Sequence, residues 1–285
     1  MSSVSLSKRA GPVVRRIVHD VLVDNVRRRP DSVVTEEPLE IRLGWPGQPM
    51  TRVVVTMRTP GCDFELAAGF LLSEGVLAVG QRPRTVAYCV DRDLDSEQRY
   101  NVVSVSLDGP PLRRPGRRTT SMSSACGVCG AESLQEVFTP TDVPMEVRET
   151  VAAPVLHALP DALLARQPLF EATGAIHAAG VSSFDGDVIA TREDIGRHNA
   201  VDKVLGARVL DTIDFGPDVV LCVSGRIGFD IITKAVAGRI STVVGVGGPS
   251  SLALDLAERA GITVCGFTRA SRSVAYTHPE RIRLA

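Results

Sequence analysis

The strongest constraint on the fold is a beat of apolar runs near the end of the chain. Val219-Val220-Leu221-Cys222-Val223, Thr242-Val243-Val244-Gly245-Val246 and the run Ile262 to Phe267 are short, β-branched and apolar without alternation. Between them, the segments around Ile231 to Val236 and Leu252 to Ala260 carry apolar residues at helical spacing. A strand apolar on both faces must be covered on both faces, and the intervening helices supply the cover. The pattern predicts a layered α/β domain with a largely parallel sheet. Ligands of such sheets sit outside the carboxyl ends of the strands. Ser224-Gly225-Arg226, Gly247-Gly248-Pro249-Ser250 and Arg269/Arg272 fall at those ends. Helix N-termini there offer free N–H groups, and arginines add charge-assisted pairs, so a phosphate-bearing ligand is expected. No Walker or dinucleotide fingerprint is present.

Upstream, Gly174 to Val181 is small and apolar, and Val188-Ile189-Ala190 follows an Asp185-Gly186 turn. Thr191 to Ala200 packs Arg192, Glu193, Asp194, Arg197 and His198 ahead of a helix through Val201, Val204 and Leu205. His198 and Asp194 are candidates to move a proton or hold a base; equally, Asp194 can cap the helix. A Pro-containing stretch from Pro140 to Pro168 carries two helix patterns, one through Pro154 to Leu159 and one at Asp161 to Leu164, and His157 reads as a core or groove histidine.

The first third has a different rhythm. Val13 to Val23 suggests an edge strand, broken by a solvated turn at Arg27-Arg28-Arg29-Pro30. Glu40 to Leu43 and Thr51 to Arg58 alternate like paired strands about the turn Gly44-Trp45-Pro46-Gly47, with Trp45 as a packing plug. Phe64, Ala67, Ala68, Leu71 and Leu72 recur as one helix face closed by Gly75. Val86 to Val90 and Asn101 to Leu107 are β-rich about the turn Asp91 to Asp95. The expected organisation is a disordered tail (1–12), a small α+β domain (13–108), a mobile loop (109–130) and the α/β domain (131–285).

That loop holds the chemistry. Cys126-Gly127-Val128-Cys129-Gly130 follows the basic run Arg113-Arg114-Pro115-Gly116-Arg117-Arg118 and precedes a short helix pattern over Ala131 to Phe138. A thiol near arginines at a helix N-terminus is shifted towards thiolate, the reacting form. A CxxC pair alone is shared by zinc sites, redox dithiols and sulfur-carrying thiols. Cys222 and Cys265 lie in strand-like runs and read as core residues; Cys62 and Cys89 carry no assignment.

Composition narrows the field. A net charge of −1 argues against a nucleic-acid binder, and 44% hydrophobic residues suffice for a sizeable core. No apolar run reaches the roughly 20 residues of a membrane span, and the polar N-terminus has no signal-like core, so a cytoplasmic setting without membrane partners is expected. Three rival functions remain. A nucleoside-deaminase-like zinc hydrolase needs H-x-E before P-C-x-x-C, whereas Ala125 precedes Cys126 and His278-Pro279-Glu280 comes last. A dithiol oxidoreductase would carry its CxxC inside a βαβ unit. A non-enzymatic cofactor-binding chaperone would leave the cysteines incidental.

CGVCG at 126–130, TREDIGRHNAVDKVLG at 191–206, SGRIGFDIITKA at 224–235 and GFTRASR at 266–272 together resemble the formate dehydrogenase accessory sulfurtransferases. MRTPGCDFELAAGFLLSEGVL at 57–77 and GAIHAAGV at 174–181 extend the resemblance over nearly the whole chain. It implies a cytidine-deaminase-like three-layer α/β domain beside the smaller domain, and a homodimer. It implies sulfurtransferase activity: Cys126 takes persulfide sulfur from a cysteine desulfurase, with Cys129 as its partner. The sulfur passes to the molybdenum bis(molybdopterin guanine dinucleotide) cofactor of formate dehydrogenase, with no resident metal. Phe267, Thr268, Arg269, Ala270, Ser271 and Arg272 would contact that cofactor.

Overall fold

The computed structural model describes residues 10–89, 98–113 and 149–284. Cys126, Cys129, the helix pattern over Ala131 to Phe138 and the turn Asp91 to Asp95 lie outside the described residues.

The chain opens with a two-stranded antiparallel ribbon, β1 (Val13–Val21) and β2 (Val26–Val34). The segment Arg27 to Pro30 is therefore strand, not the solvated turn expected from its composition. The reversal comes instead at Leu22 to Asn25, where the Leu22 N–H donates to the Asn25 carbonyl. Proline is tolerated in β2 because a two-stranded ribbon leaves outer edges that need no ladder donor. Arg29 donates to both Asp20 and Asp31, offsetting part of the basic run.

β3 (Glu37–Trp45) and β4 (Gln48–Arg58) pair antiparallel about Pro46-Gly47, where Gly47 has φ +81°. With β5 (Thr85–Tyr88) and β6 (Val102–Ser106) they form a four-stranded sheet in the order β4-β3-β6-β5. Helix α1 (Asp63–Ser73) covers it. Leu39, Ile41, Leu43, Val103 and Val105 meet Leu66, Phe70 and Leu71 in one buried cluster, with Trp45 packed at its edge. Gly75, at φ +67°, ends the helix as its spacing predicts.

The second sheet is six-stranded, in the order β13-β12-β11-β10-β8-β9. Its strands are β8 (His177–Ser183), β9 (Val188–Asp194), β10 (Val219–Val223), β11 (Thr242–Gly245), β12 (Thr263–Arg269) and β13 (Arg272–Thr277). Only β10–β11 and β11–β12 run parallel; the other pairings are antiparallel. The largely parallel sheet expected from the sequence is thus a mixed one. Its outer strands arrive by tight reversals, Ser183–Asp187 and Ala270-Ser271, and a tight turn can join only antiparallel neighbours.

Successive side chains of a strand point to opposite faces. Leu221 and Val223 pack on one side of β10 with helices α4 (Arg197–Val209), α5 (Phe229–Ala237) and α6 (Ser251–Ala260). Val220 and Cys222 pack on the other with α2 (Ala153–Leu164). The sheet is therefore sandwiched, as the apolar runs predict. The two helix patterns expected around residue 160 are one continuous helix. Pro160 withholds one intrahelical bond, but Leu156, Leu159 and Leu163 form an unbroken buried face on the sheet, and that burial outweighs the loss. His157 is half-buried, with Nε2 3.2 Å from Ser273 Oγ. A short helix α3 (Pro168–Thr173) follows, and β7 (Val151–Ala152) pairs with β14 (Ile282–Arg283).

The two sheets meet through α1 and α4. A Cβ on Gly69 would stand 1.8 Å from the Asp202 carbonyl oxygen, and one on Gly206 would stand 1.7 Å from the Glu65 carbonyl oxygen. The helices thus cross in backbone contact. Buried ions flank the crossing. Lys234 Nζ lies 2.7 Å from Asp202 Oδ1, and Ser73 Oγ donates to the same oxygen. Lys203 Nζ lies 2.6 Å from Asp194 Oδ2 and donates to the carbonyls of Thr59 and Glu193. Below α1, Arg58 grips Asp63 through Nε and Nη2, and Tyr88 donates its hydroxyl to the same carboxylate.

Candidate functional site at the carboxyl edge of the central sheet

The parallel strands deliver three loops to one edge, and backbone hydrogen bonds tie them together. After β10, the Gly225 carbonyl accepts from Gly247 N–H at 3.0 Å, and Ile227 N–H donates to Gly248 at 3.1 Å. After β11, the Gly247 carbonyl accepts from Phe267 N–H of β12 at 3.1 Å. Gly248 lets the Phe267 ring lie directly on the loop, since a Cβ there would stand 2.5 Å from the ring tip and push it aside. Phe267 itself adopts φ +52°, rare for an aromatic residue, and its ring is 49% exposed above the loop. Arg269 Nη1 donates to the carbonyls of Val246 and Thr268, fixing its guanidinium over the same loop. Arg269 and Arg272 face each other across the reversal at Ala270 and Ser271. Thr268 points inward and is fully buried, with no hydrogen-bond partner for its hydroxyl among the described residues.

The stretch Phe267 to Arg272 therefore stands beside Ser224-Gly225-Arg226 and Gly247 to Ser250, as the strand pattern predicts. Helix termini contribute less uniformly than expected. Ser250 caps α6 by accepting from Ala253 N–H, so one of that terminus's free N–H groups is already taken. Helices α4 and α5 begin at Gly196 and Gly228 without side-chain caps, but Asp230 places a carboxylate in the first turn of α5.

A second group adjoins this edge. His177, at the start of β8, places Nδ1 3.3 Å from Ser224 Oγ, which also accepts from Ala178 N–H. Gly225 faces the His177 ring and the Arg197 side chain. His198 Nε2 lies against Asp230 Oδ2, joining the starts of α4 and α5. The sequence singles out His198; its contact with Asp230 emerges only where the starts of α4 and α5 meet, and the His177–Ser224 contact only from the pairing of β8 with β10. Asp194 does not cap α4. It is fully buried, accepting from Thr59 N–H, Gly196 N–H and Asn199 Nδ2 while paired with Lys203.

Burial, Arg197, Lys234 and His177 push the His198 imidazole down to about 3; burial and Arg197 also lower His177. Both shifts favour the uncharged imidazole, and His198 Nε2 rests against the Asp230 carboxylate. In the unfolded chain these rings titrate near 6.5. Between that pH and about 3, the unfolded state binds protons that folded His198 does not. Its contribution to stability is therefore complete above about 6.5 and is lost as pH falls. Urea unfolding should give a stability advantage of wild type over His198→Gln that shrinks steadily from pH 7 to pH 4. A constant difference would contradict a neutral, buried His198.

Cys62, Cys222 and Cys265 are all shifted away from the thiolate form. Burial raises Cys222 to about 12 and Cys265 to about 11. Exposed Cys62, at the start of α1 with φ +54°, is also raised, through partial desolvation and Glu65, with Arg192 opposing. No described helix is long and apolar enough to cross a membrane.

Comparison with known proteins follows the same outline. The model of the FdhD/NarQ family matches residues 34–283. The sulfur carrier protein FdhD of Nocardia farcinica is 44% identical over 271 residues, covering 94% of each chain. That of Mycobacterium tuberculosis is 45% identical over 280 residues, covering 94% of this chain and 97% of its own. A crystal structure from Desulfotalea psychrophila, described as a formate dehydrogenase accessory protein, shares the fold at 22% identity with a TM-score of 0.71, covering 95% of this chain and 99% of the other.

Proposed function

This chain belongs to the FdhD/NarQ family, and from that premise we propose that it is a sulfur carrier serving formate dehydrogenase. In this reading Cys126 receives persulfide sulfur from a cysteine desulfurase, and Cys129 assists. The acceptor is the molybdenum bis(molybdopterin guanine dinucleotide) cofactor, bound as cargo at the carboxyl edge of the central sheet. The cytidine-deaminase-like layering and the homodimer implied by the resemblance belong to the same reading.

The observation that carries it is the convergence of three loops under the exposed, backbone-strained Phe267 ring, within a chain over 40% identical to proteins named as sulfur carriers. A flat aromatic surface suits stacking of a guanine. Arg226, Arg269 and Arg272 suit pyrophosphate oxygens. Cys62, Cys222 and Cys265, each shifted towards the thiol form, are poor nucleophiles beside the CxxC pair. In the loading step, the Cys126 thiolate attacks the outer sulfur of the donor persulfide. A new S–S bond forms, the donor's S–S bond breaks, and the donor leaves as its thiolate.

Incubation with desulfurase and cysteine should add about 32 daltons, one sulfur atom, mapped by peptide mass to Cys126. Cys126→Ala should show no adduct, and Phe267→Ala should load normally while binding guanosine diphosphate at least about ten-fold more weakly. Sulfur found on Cys62 instead, or an active formate dehydrogenase in cells carrying only Cys126→Ala, would overturn the reading.

A further inference from the structure

The β1–β2 ribbon buries none of its own residues, although two-stranded ribbons are at best marginally stable without a covered face. The family model begins at Val34, the last residue of the ribbon. Its unbroken register sorts every side chain onto one of two faces. Val14, Arg16, Val18 and Asp20 stand opposite Val33, Asp31, Arg29 and Arg27 on one face. That face holds both carboxylates of the strands, each bound to Arg29, and Val14, Val18, Arg29 and Asp31 are partly covered.

The other face pairs Val13, Arg15, Ile17, His19 and Val21 with Val34, Ser32, Pro30, Arg28 and Val26. It contains no carboxylate. Its outer half exposes Ile17 by 54%, Val21 by 80% and Val26 by 62%, beside exposed Arg15 and Arg28. Neither arginine has an ion pair among the described residues. The exposed row of His19 and Arg28 sets Ile17 apart from Val21 and Val26, and the apolar surface is continuous at the hairpin tip, where Leu22 and Val23 are exposed as well; such a patch beside cationic side chains marks an interaction site.

We propose that this face is a docking surface for an acidic protein partner, one that sets carboxylates around an apolar strip. The charge pattern selects the occupant. A second copy packed face to face would bring Arg15 and Arg28 against their equivalents with no counter-charge, a juxtaposition that disfavours self-pairing. A carboxylate-bearing surface meets both the apolar strip and its cationic rim.

The test uses the full chain with purified formate dehydrogenase apoenzyme and purified cysteine desulfurase as probes, a choice that rests on the proposed sulfur-carrier role. At least one should bind. Arg15→Glu with Arg28→Glu should weaken that binding at least about ten-fold, and so should Ile17→Ser with Val26→Ser. Raising salt should weaken the wild-type complex and affect the Arg15→Glu/Arg28→Glu variant much less. Arg16→Glu, on the opposite face, should bind as wild type does. Sulfur loading of Cys126 from glutathione persulfide, which needs no protein docking, should be unchanged in all variants. Loss of that loading even in wild type would count against the carrier role and leave the docking result to be read by itself. The proposal is overturned if neither protein binds wild type, or if the face variants bind within two-fold of it. A smaller molar mass in Ile17→Ser/Val26→Ser would assign the face to a second copy. A lowered melting temperature with unchanged binding would assign it to this chain's own packing.

Discussion

Gly206→Ala is expected to lower stability by about 3–5 kcal/mol and the melting temperature by roughly 6–15 °C. In an ordinary helix this substitution would be favourable by up to about 1 kcal/mol, because glycine is a poor helix former. Here the new methyl would sit 1.7 Å from the Glu65 carbonyl oxygen and 2.8 Å from Gly69 N, both backbone atoms that no rotamer change can move. Relief requires α1 and α4 to separate by more than an ångström. That separation would open the packing of Leu72 against the helices of the central sheet and strain the buried pair Lys234–Asp202 beside it. Gly69→Ala should behave alike, its methyl meeting the Asp202 carbonyl oxygen at 1.8 Å. Gly109→Ala, which meets nothing within 4 Å, is the control and should be near neutral. Thermal unfolding followed by circular dichroism reads all three; a stabilised Gly206→Ala would mean the helices do not touch.

Lys203→Met should cost about 3–5 kcal/mol, the usual penalty for stranding one partner of a buried ion pair. Lys203 is 2% exposed and Asp194 is fully buried. The ammonium has three donors and three oxygen acceptors here: Asp194 Oδ2, the Thr59 carbonyl and the Glu193 carbonyl. Its loss leaves a carboxylate supported only by neutral donors. The same contacts hold the Thr59 loop, the start of α1, against the end of β9, so local unfolding there should rise as well. Asp194→Asn in the same chain should recover about 1–2 kcal/mol, because the uncompensated charge is gone. Strict additivity of the two substitutions in urea titrations would show that the pair is not coupled. Neither residue belongs to the sheet-edge loops, so guanosine diphosphate affinity of the folded fraction should be unchanged in the single variant.

The sequence by itself determined the elements that depend on local chemistry. Doubly apolar runs separated by helical patterns made Val219–Val223, Thr242–Gly245 and Thr263–Arg269 neighbouring buried strands, and thereby brought Ser224, Gly247 and Phe267 to one edge. The helix over Asp63–Ser73 and the hairpin at Pro46-Gly47 were legible from period and turn residues in the same way. Tertiary structure decided what local pattern does not encode. Strand direction at the sheet margins followed from how tightly each reversal closes. Arg27 to Pro30 became strand because Val14 to Val21 lay alongside it, and Pro160 stayed helical because three leucines face the sheet. The glycines at 69 and 206 look like flaws in helices until the two helices are seen to cross. His198 found Asp230, and Lys203 found Asp194, for a common reason: desolvation makes an unpaired buried polar group costly, and only the assembled interior determines which groups are desolvated together.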